Sequence, residues 1–173
     1  GSNLKNLIKF SKIKNSPISI ILIISNTTQA KGLKYANQFN IKKKIFNFQN
    51  FTDAEKNIST LLKKEKIKFI CLAGFMKILS KDFIKKFEGK IVNIHPSLLP
   101  KYKGLNTHNR AIKNQDKFAG CTVHYVTAQL DSGKTILQKK IRITLKDNET
   151  TLAKKVLKQE HKLYPAAIIK IFN

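Results

Sequence analysis

The chain has 173 residues, 42% of them hydrophobic, which is enough for one domain with a substantial core and too apolar for a disordered chain. Its formal charge of +24 is carried almost wholly by lysines spread along the chain, with Arg110 and Arg142 the only arginines; arginine is the residue suited to bidentate phosphate and base contacts, so the excess points to compositional bias and a general attraction for anions rather than to a specific nucleic-acid partner. No apolar run has the ~18 residues of a membrane span, no leader is visible, Cys71 and Cys121 form no paired motif, and no Cys/His cluster has zinc-ligand spacing, so a cytoplasmic chain with no metal and no membrane partner is expected.

Helix-like and strand-like pieces alternate, which predicts an α/β fold built on an open, mostly parallel twisted sheet. Residues 3–10 read as a helix with Leu4, Leu7 and Ile8 on one side. Residues 18–25 are a β-branched run and predict a buried strand. A helix over 31–39 and a short strand over 43–48 follow. Residues 53–65 predict an amphipathic helix with Ile58, Leu61 and Leu62 inward. Residues 69–73 read as another buried strand, ending at Gly74. After a helix over 81–87, residues 91–94 form a strand that Pro96 stops. A loop rich in Pro, Lys and Gly covers 96–105, and a helix covers 107–115. Residues 121–127 and 135–143 alternate like strands and are joined by a turn at Asp131, Ser132 and Gly133, so they are expected to pair antiparallel. Residues 148–172 predict a C-terminal helix, with Asn148 or Thr150 as its cap and Pro165 as a site for a kink.

Asn93 and His95 lie two apart on a predicted strand, so their side chains point to the same side. The strand ends beside them, and the ends of strands are where open α/β sheets bind ligands. An amide N–H and an imidazole N–H together can hold a developing oxyanion, and histidine can carry the proton such a reaction moves. Asp131, in the turn after a later strand, is the candidate for orienting and charging that imidazole. From spacing alone a structural reading stands beside this one: histidines at strand ends are commonly satisfied packing residues, and asparagine is a common turn former. Ser97 has no nucleophile elbow around it. His108 opens a helix. His124 alternates with Val123 and Tyr125 and can face the same cleft. His161, beside Glu160, reads as a helix-surface pair.

Residues 91–104 (IVNIHPSLLPKYKG), followed by Leu105, Asn106, Thr107 and His108, strongly resemble the phosphoribosylglycinamide formyltransferase family of folate-dependent enzymes. So do residues 72–79 (LAGFMKIL), 122–127 (TVHYVT), 130–133 (LDSG), 136–138 (ILQ) and 159–165 (QEHKLYP). The resemblance implies a single Rossmann-like formyltransferase domain over 1–173, with 1–90 the phosphate- and nucleotide-binding half and 91–173 the catalytic and folate-binding half. It implies formyl transfer from 10-formyltetrahydrofolate to the amine of 5-phosphoribosylglycinamide, with no metal and with the protein acting as a monomer or homodimer. Asn93, His95 and Asp131 match the catalytic trio. Gly1, Ser2 and Asn3 match a phosphate-holding loop at a helix N-terminus. Leu157, Lys158, Gln159 and Glu160 match the segment holding the ribonucleotide. Met76, Lys77, Ile78 and Leu79, with Asn93 and the run Thr127, Ala128, Gln129, Leu130 and Asp131, match the folate pocket.

Departures from the family pattern are also legible. Ala54 stands near the place of a folate-contacting arginine, with Lys56 the nearby cation. Asn106 replaces a commoner histidine, and Lys77 a commoner arginine. The chain opens on a helix where the family has a strand first, which leaves the expected sheet one strand short. Two other readings stand: hydrolysis of the same folate by a deformylase, whose Asn-x-His-Pro-Ser-Leu-Leu-Pro run is shared, and an RNA- or tRNA-interacting protein drawn by the +24 charge.

Overall fold

The computed structural model describes residues 1–173, which divide into two compact units, Gly1–Lys90 and Ile91–Asn173. The first contains α1 (Ser2–Ser11), β1 (Leu22–Ser25), α2 (Leu33–Gln38), β2 (Lys42–Ile45), α3 (Phe51–Lys64), β3 (Phe69–Leu72) and α4 (Lys81–Lys86). β1 and β2 pair in parallel, Leu22 opposite Lys42 and Ser25 opposite Ile45. Ile8 of α1, Ile23 of β1, and Leu33 and Ala36 of α2 are buried together, with Leu4, Ile20, Phe39 and Ile41 packed against them. The strand predicted over 18–25 is therefore shortened to its last four residues. An apolar β-branched run predicts burial, but a strand also needs a partner backbone, and β2 supplies partners only from Leu22 onward.

On α3 the Asn50 side chain accepts the Asp53 backbone N–H, and Ala54, Glu55, Ile58 and Leu62 form the buried stripe. Leu61, expected inward, is only half-buried. The buried Glu55 carboxylate accepts the Ser80 N–H at 2.8 Å, and the Ser80 side chain in turn caps α4.

The second unit carries β4 (Lys90–His95), α5 (Thr107–Lys113), β5 (Phe118–Tyr125), β6 (Thr135–Arg142) and α6 (Glu149–Phe172). The expected antiparallel pairing of β5 and β6 is present, and β4 also pairs antiparallel with β5, Asn93 opposite His124 and His95 opposite Thr122. α6 lies against β5 and β6 through a stripe of Leu152, Val156, Leu163, Tyr164, Ala167 and Ile168, and it runs unbroken through Pro165. The Tyr164 hydroxyl donates to the Val92 carbonyl at 3.1 Å, which ties the helix to β4. No helix is long and apolar enough to cross a membrane.

The start of α6 is held twice. Asn148 and Thr151 cap each other reciprocally, so Asn148 rather than Thr150 is the cap. Asp147 accepts from Lys155 at 2.6 Å, from the Thr144 N–H and hydroxyl at 2.8 Å each, and from the Thr151 hydroxyl at 3.1 Å. The Lys155 hydrogen bond, then that of the Thr144 backbone, hold the Asp147 carboxyl far below the ordinary carboxylate range. A carboxylate depressed on folding stabilises the fold at pH values above its unfolded pKa, and that contribution is lost as pH falls below it. Asp147→Asn is thus expected to lower Tm by about 2–4 °C at pH 7. In thermal melts the gap to the unsubstituted chain should persist down to about pH 4 and narrow below it. A gap independent of pH would mean that the charge contributes nothing.

Candidate active site

β4 and β5 carry the centre of the site. Their register sets Asn93 directly across from His124, on one face of the sheet. The Asn93 amide nitrogen lies 3.4 Å from His124 Nε2. Asp131 enters from the β5–β6 turn at φ 46°, in the left-handed region, and its carboxylate meets both imidazoles. One oxygen, Oδ2, is 3.3 Å from His95 Nδ1, and the other, Oδ1, is 3.6 Å from His124 Nε2. The side chains of His95, His124 and Asp131 keep only 7%, 3% and 7% of their surface exposed. The turn can lie this close to β5 because residue 133 is glycine: a Cβ there would sit 1.7 Å from the Tyr125 carbonyl oxygen.

The two histidines are wired differently. Burial pushes the His124 pKa below its ordinary value, against the opposing pull of the hydrogen bond to the Tyr125 carbonyl and of the Asp131 charge. His124 is therefore neutral at pH 7. Its Nδ1–H donates to the Tyr125 carbonyl at 2.9 Å, which leaves a lone pair on Nε2 to accept an Asn93 amide hydrogen. That hydrogen bond turns the Asn93 amide nitrogen into the site and leaves its second hydrogen available. His95 instead meets an acceptor at each nitrogen: Asp131 at Nδ1, and the Tyr102 carbonyl at 2.8 Å from Nε2. The Nε2–H tautomer donates to the Tyr102 carbonyl and leaves Nδ1 facing the Asp131 carboxylate.

Two backbone groups complete the arrangement, and no side-chain pattern announced either. The Tyr102 carbonyl faces His95, and the Gly104 N–H donates to Asp131 Oδ2 at 2.8 Å. The only available signal was Gly104 itself, whose φ of 77° marks a turn that other residues resist. The stem of this loop is held on the sheet by Thr122, whose hydroxyl donates to the Ser97 carbonyl at 2.7 Å and accepts the Leu99 N–H at 3.1 Å.

The other predicted residues fall as follows. Thr127, Ala128, Gln129 and Leu130 are exposed in the turn that leads to Asp131. Glu160 is buried on α6; burial, with the Glu160 charge adding, pushes the Cys121 thiol up to about 12. Leu157, Lys158 and Gln159 precede it on the same helix. His108 is partly buried on α5, its Nδ1 without a partner, and burial lowers its pKa. In the first unit, Gly1, Ser2 and Asn3 form the N-terminal end of α1, packed so closely on Gly32 that a Cβ on Gly1 would lie 2.7 Å from the Gly32 Cα. Met76, Lys77 and Ile78 are exposed between β3 and α4, and Leu79 is buried. Ala54 is buried within α3, whereas Lys56 points outward. No group of three or more His, Cys, Asp or Glu side chains is placed to hold a metal ion.

A family model described as formyl transferase matches residues 1–168. The chain belongs to the formyl transferase family. It is 40% identical over 171 residues to the phosphoribosylglycinamide formyltransferase of Haemophilus influenzae, a match covering 97% of this chain and 81% of that protein. It is 38% identical over 171 residues to the trifunctional purine biosynthetic protein adenosine-3 of Gallus gallus, of whose length it spans only 17%. Among solved structures, the phosphoribosylglycinamide formyltransferase of Brucella melitensis superposes with a TM-score of 0.94 at 41% identity, covering 99% of this chain and 90% of that one. The mixed α/β fold expected from the sequence, with antiparallel strands late and a C-terminal helix, is the fold of these formyltransferases.

Proposed function

We propose that the chain transfers the formyl group of 10-formyltetrahydrofolate to the amine of 5-phosphoribosylglycinamide, a step of purine biosynthesis. The observation that carries this reading is the convergence of Asn93, His95 and Asp131 on one buried face, in a formyl transferase chain of this fold. The substrate amine attacks the formyl carbon and gives a tetrahedral intermediate with one negative oxygen. The free Asn93 amide hydrogen and the charged His95 are donors suited to that oxygen. The 3.3 Å separation of His95 Nδ1 from Asp131 exceeds the roughly 2.7–2.9 Å of a tight charge-assisted bond, so its hydrogen can be shared with the oxyanion. Collapse of the intermediate breaks the bond between the formyl carbon and the folate nitrogen. The attacking amine gives up a proton and the departing nitrogen takes one, and Asp131 relays it.

The exposure of residues 127–130 supports a role in holding the folate, and Leu157, Lys158, Gln159 and the buried Glu160 are assigned to the ribonucleotide by family resemblance. In the first unit Met76, Lys77, Ile78 and Leu79 are assigned to the folate by family resemblance. The N-terminal end of α1, at Gly1, Ser2 and Asn3, is a physically suitable place for the phosphate. Incubating the chain with formyl folate, with and without the ribonucleotide, tests the reading. Loss of the formyl donor is expected only when the ribonucleotide is present, in step with formation of formylated product. Formate released at the same rate without the ribonucleotide would overturn transfer in favour of hydrolysis.

A further inference from the structure

Tyr102 and Asp116 belong to a side-chain cluster with no part in the roles assigned above. The Tyr102 hydroxyl donates to Asp116 Oδ2 at 2.8 Å and accepts from the Asn114 amide at 2.8 Å. Lys101 pairs with the other Asp116 oxygen at 2.8 Å. The Arg110 guanidinium lies 4.8 Å from the Tyr102 ring centroid and donates to the Lys103 carbonyl at 2.7 Å. The phenol is thus held at its tip and over its face. Its backbone is also constrained, since Tyr102 has φ 56°, a left-handed conformation uncommon for residues other than glycine. Partial desolvation pushes the Asp116 carboxyl up, but the hydrogen bonds from Lys101 and Tyr102 outweigh it and hold the group below the ordinary carboxylate range.

What this cluster fixes is a three-residue segment whose backbone touches the site twice. The Tyr102 carbonyl accepts from His95 Nε2 at 2.8 Å, and two residues later the Gly104 N–H donates to Asp131 Oδ2 at 2.8 Å. A carbonyl is presented to the imidazole and an amide hydrogen to the carboxylate, each matched in polarity to its target. We propose that Tyr102 and Asp116 are positioning residues, which set the ring of His95 and the carboxylate of Asp131 through the loop backbone without touching substrate. Their effect on turnover rests on the formyl-transfer reading; their effect on His95 does not.

The test uses Tyr102→Phe, which removes a single oxygen, and Asp116→Asn as a second variant should the first fail to fold. Asp147→Asn, at the start of α6, serves as the stability control. In the full chain kcat is expected to fall about 10- to 100-fold, with KM for both substrates changed less than about threefold, as for a misplaced catalytic group. Nitrogen NMR of the His95 ring should show its Nε2 resonance displaced in both variants and unmoved in the control. A His95 spectrum unchanged in folded variants would overturn the proposal, as would a loss of kcat no larger than that of the control at equal loss of Tm. If the unsubstituted chain transfers no formyl group, the formyl-transfer reading fails and the NMR comparison still decides whether the pair positions His95.

Discussion

Asn93→Ala is expected to lower kcat about 100- to 1000-fold, the usual cost of removing one oxyanion donor, while folate affinity changes little. Its amide is turned by a neutral, buried His124 whose own proton is committed to the Tyr125 carbonyl. On the proposed mechanism the second amide hydrogen is held ready before any substrate arrives, and preorganisation of this kind acts on the transition state far more than on the ground state. Truncation to alanine leaves the sheet register intact, because β4 pairs with β5 through backbone groups. Steady-state kinetics with both substrates varied, combined with folate titration, separates the terms. A kcat within about threefold of the unsubstituted chain, or a loss confined to KM, would remove Asn93 from the reaction.

Much of this site was legible because side-chain direction follows from strand periodicity. Two residues apart on a strand means the same face, and that alone aligned Asn93 with His95 and allowed His124 to face them. Asp131 was legible as a carboxylate in a glycine-containing turn, although its simultaneous approach to both histidines depends on the β5–β6 turn lying close to β5. The backbone groups of Tyr102 and Gly104 were not legible. Every residue has a carbonyl, every residue except proline has an N–H, and only the path of the loop decides which of them reach the site. The start of β1 was misread for a related reason. The run from Ile18 to Ile21 is apolar enough for a strand, yet ladder partners begin at Lys42 opposite Leu22. Helix α6 was easier, since an asparagine cap and an apolar stripe are local patterns that need no knowledge of the neighbours.

Asp131→Asn should cost more than its near-identical shape suggests, with kcat lowered about 100- to 10000-fold, the range seen when the carboxylate partner of a catalytic imidazole becomes an amide. The present carboxylate performs two tasks at one oxygen: Oδ2 accepts the Gly104 N–H and faces His95 Nδ1. An asparagine carries no charge, and it keeps both contacts only with its amide oxygen in the place of Oδ2. If its oxygen stays with Gly104 and its nitrogen turns toward His124, His95 loses the negative charge beside Nδ1. If its nitrogen takes that place instead, an amide donor replaces the acceptor that both the Gly104 N–H and His95 Nδ1 face. On the proposed mechanism, either arrangement removes the carboxylate charge beside His95 and with it the relay for the attacking amine's proton. The loss should therefore appear in kcat, with little change in KM, and raising the buffer concentration should restore part of it by supplying an external proton carrier. A variant that keeps more than about a third of its turnover would show that neither the charge on His95 nor the relay through Asp131 limits the reaction.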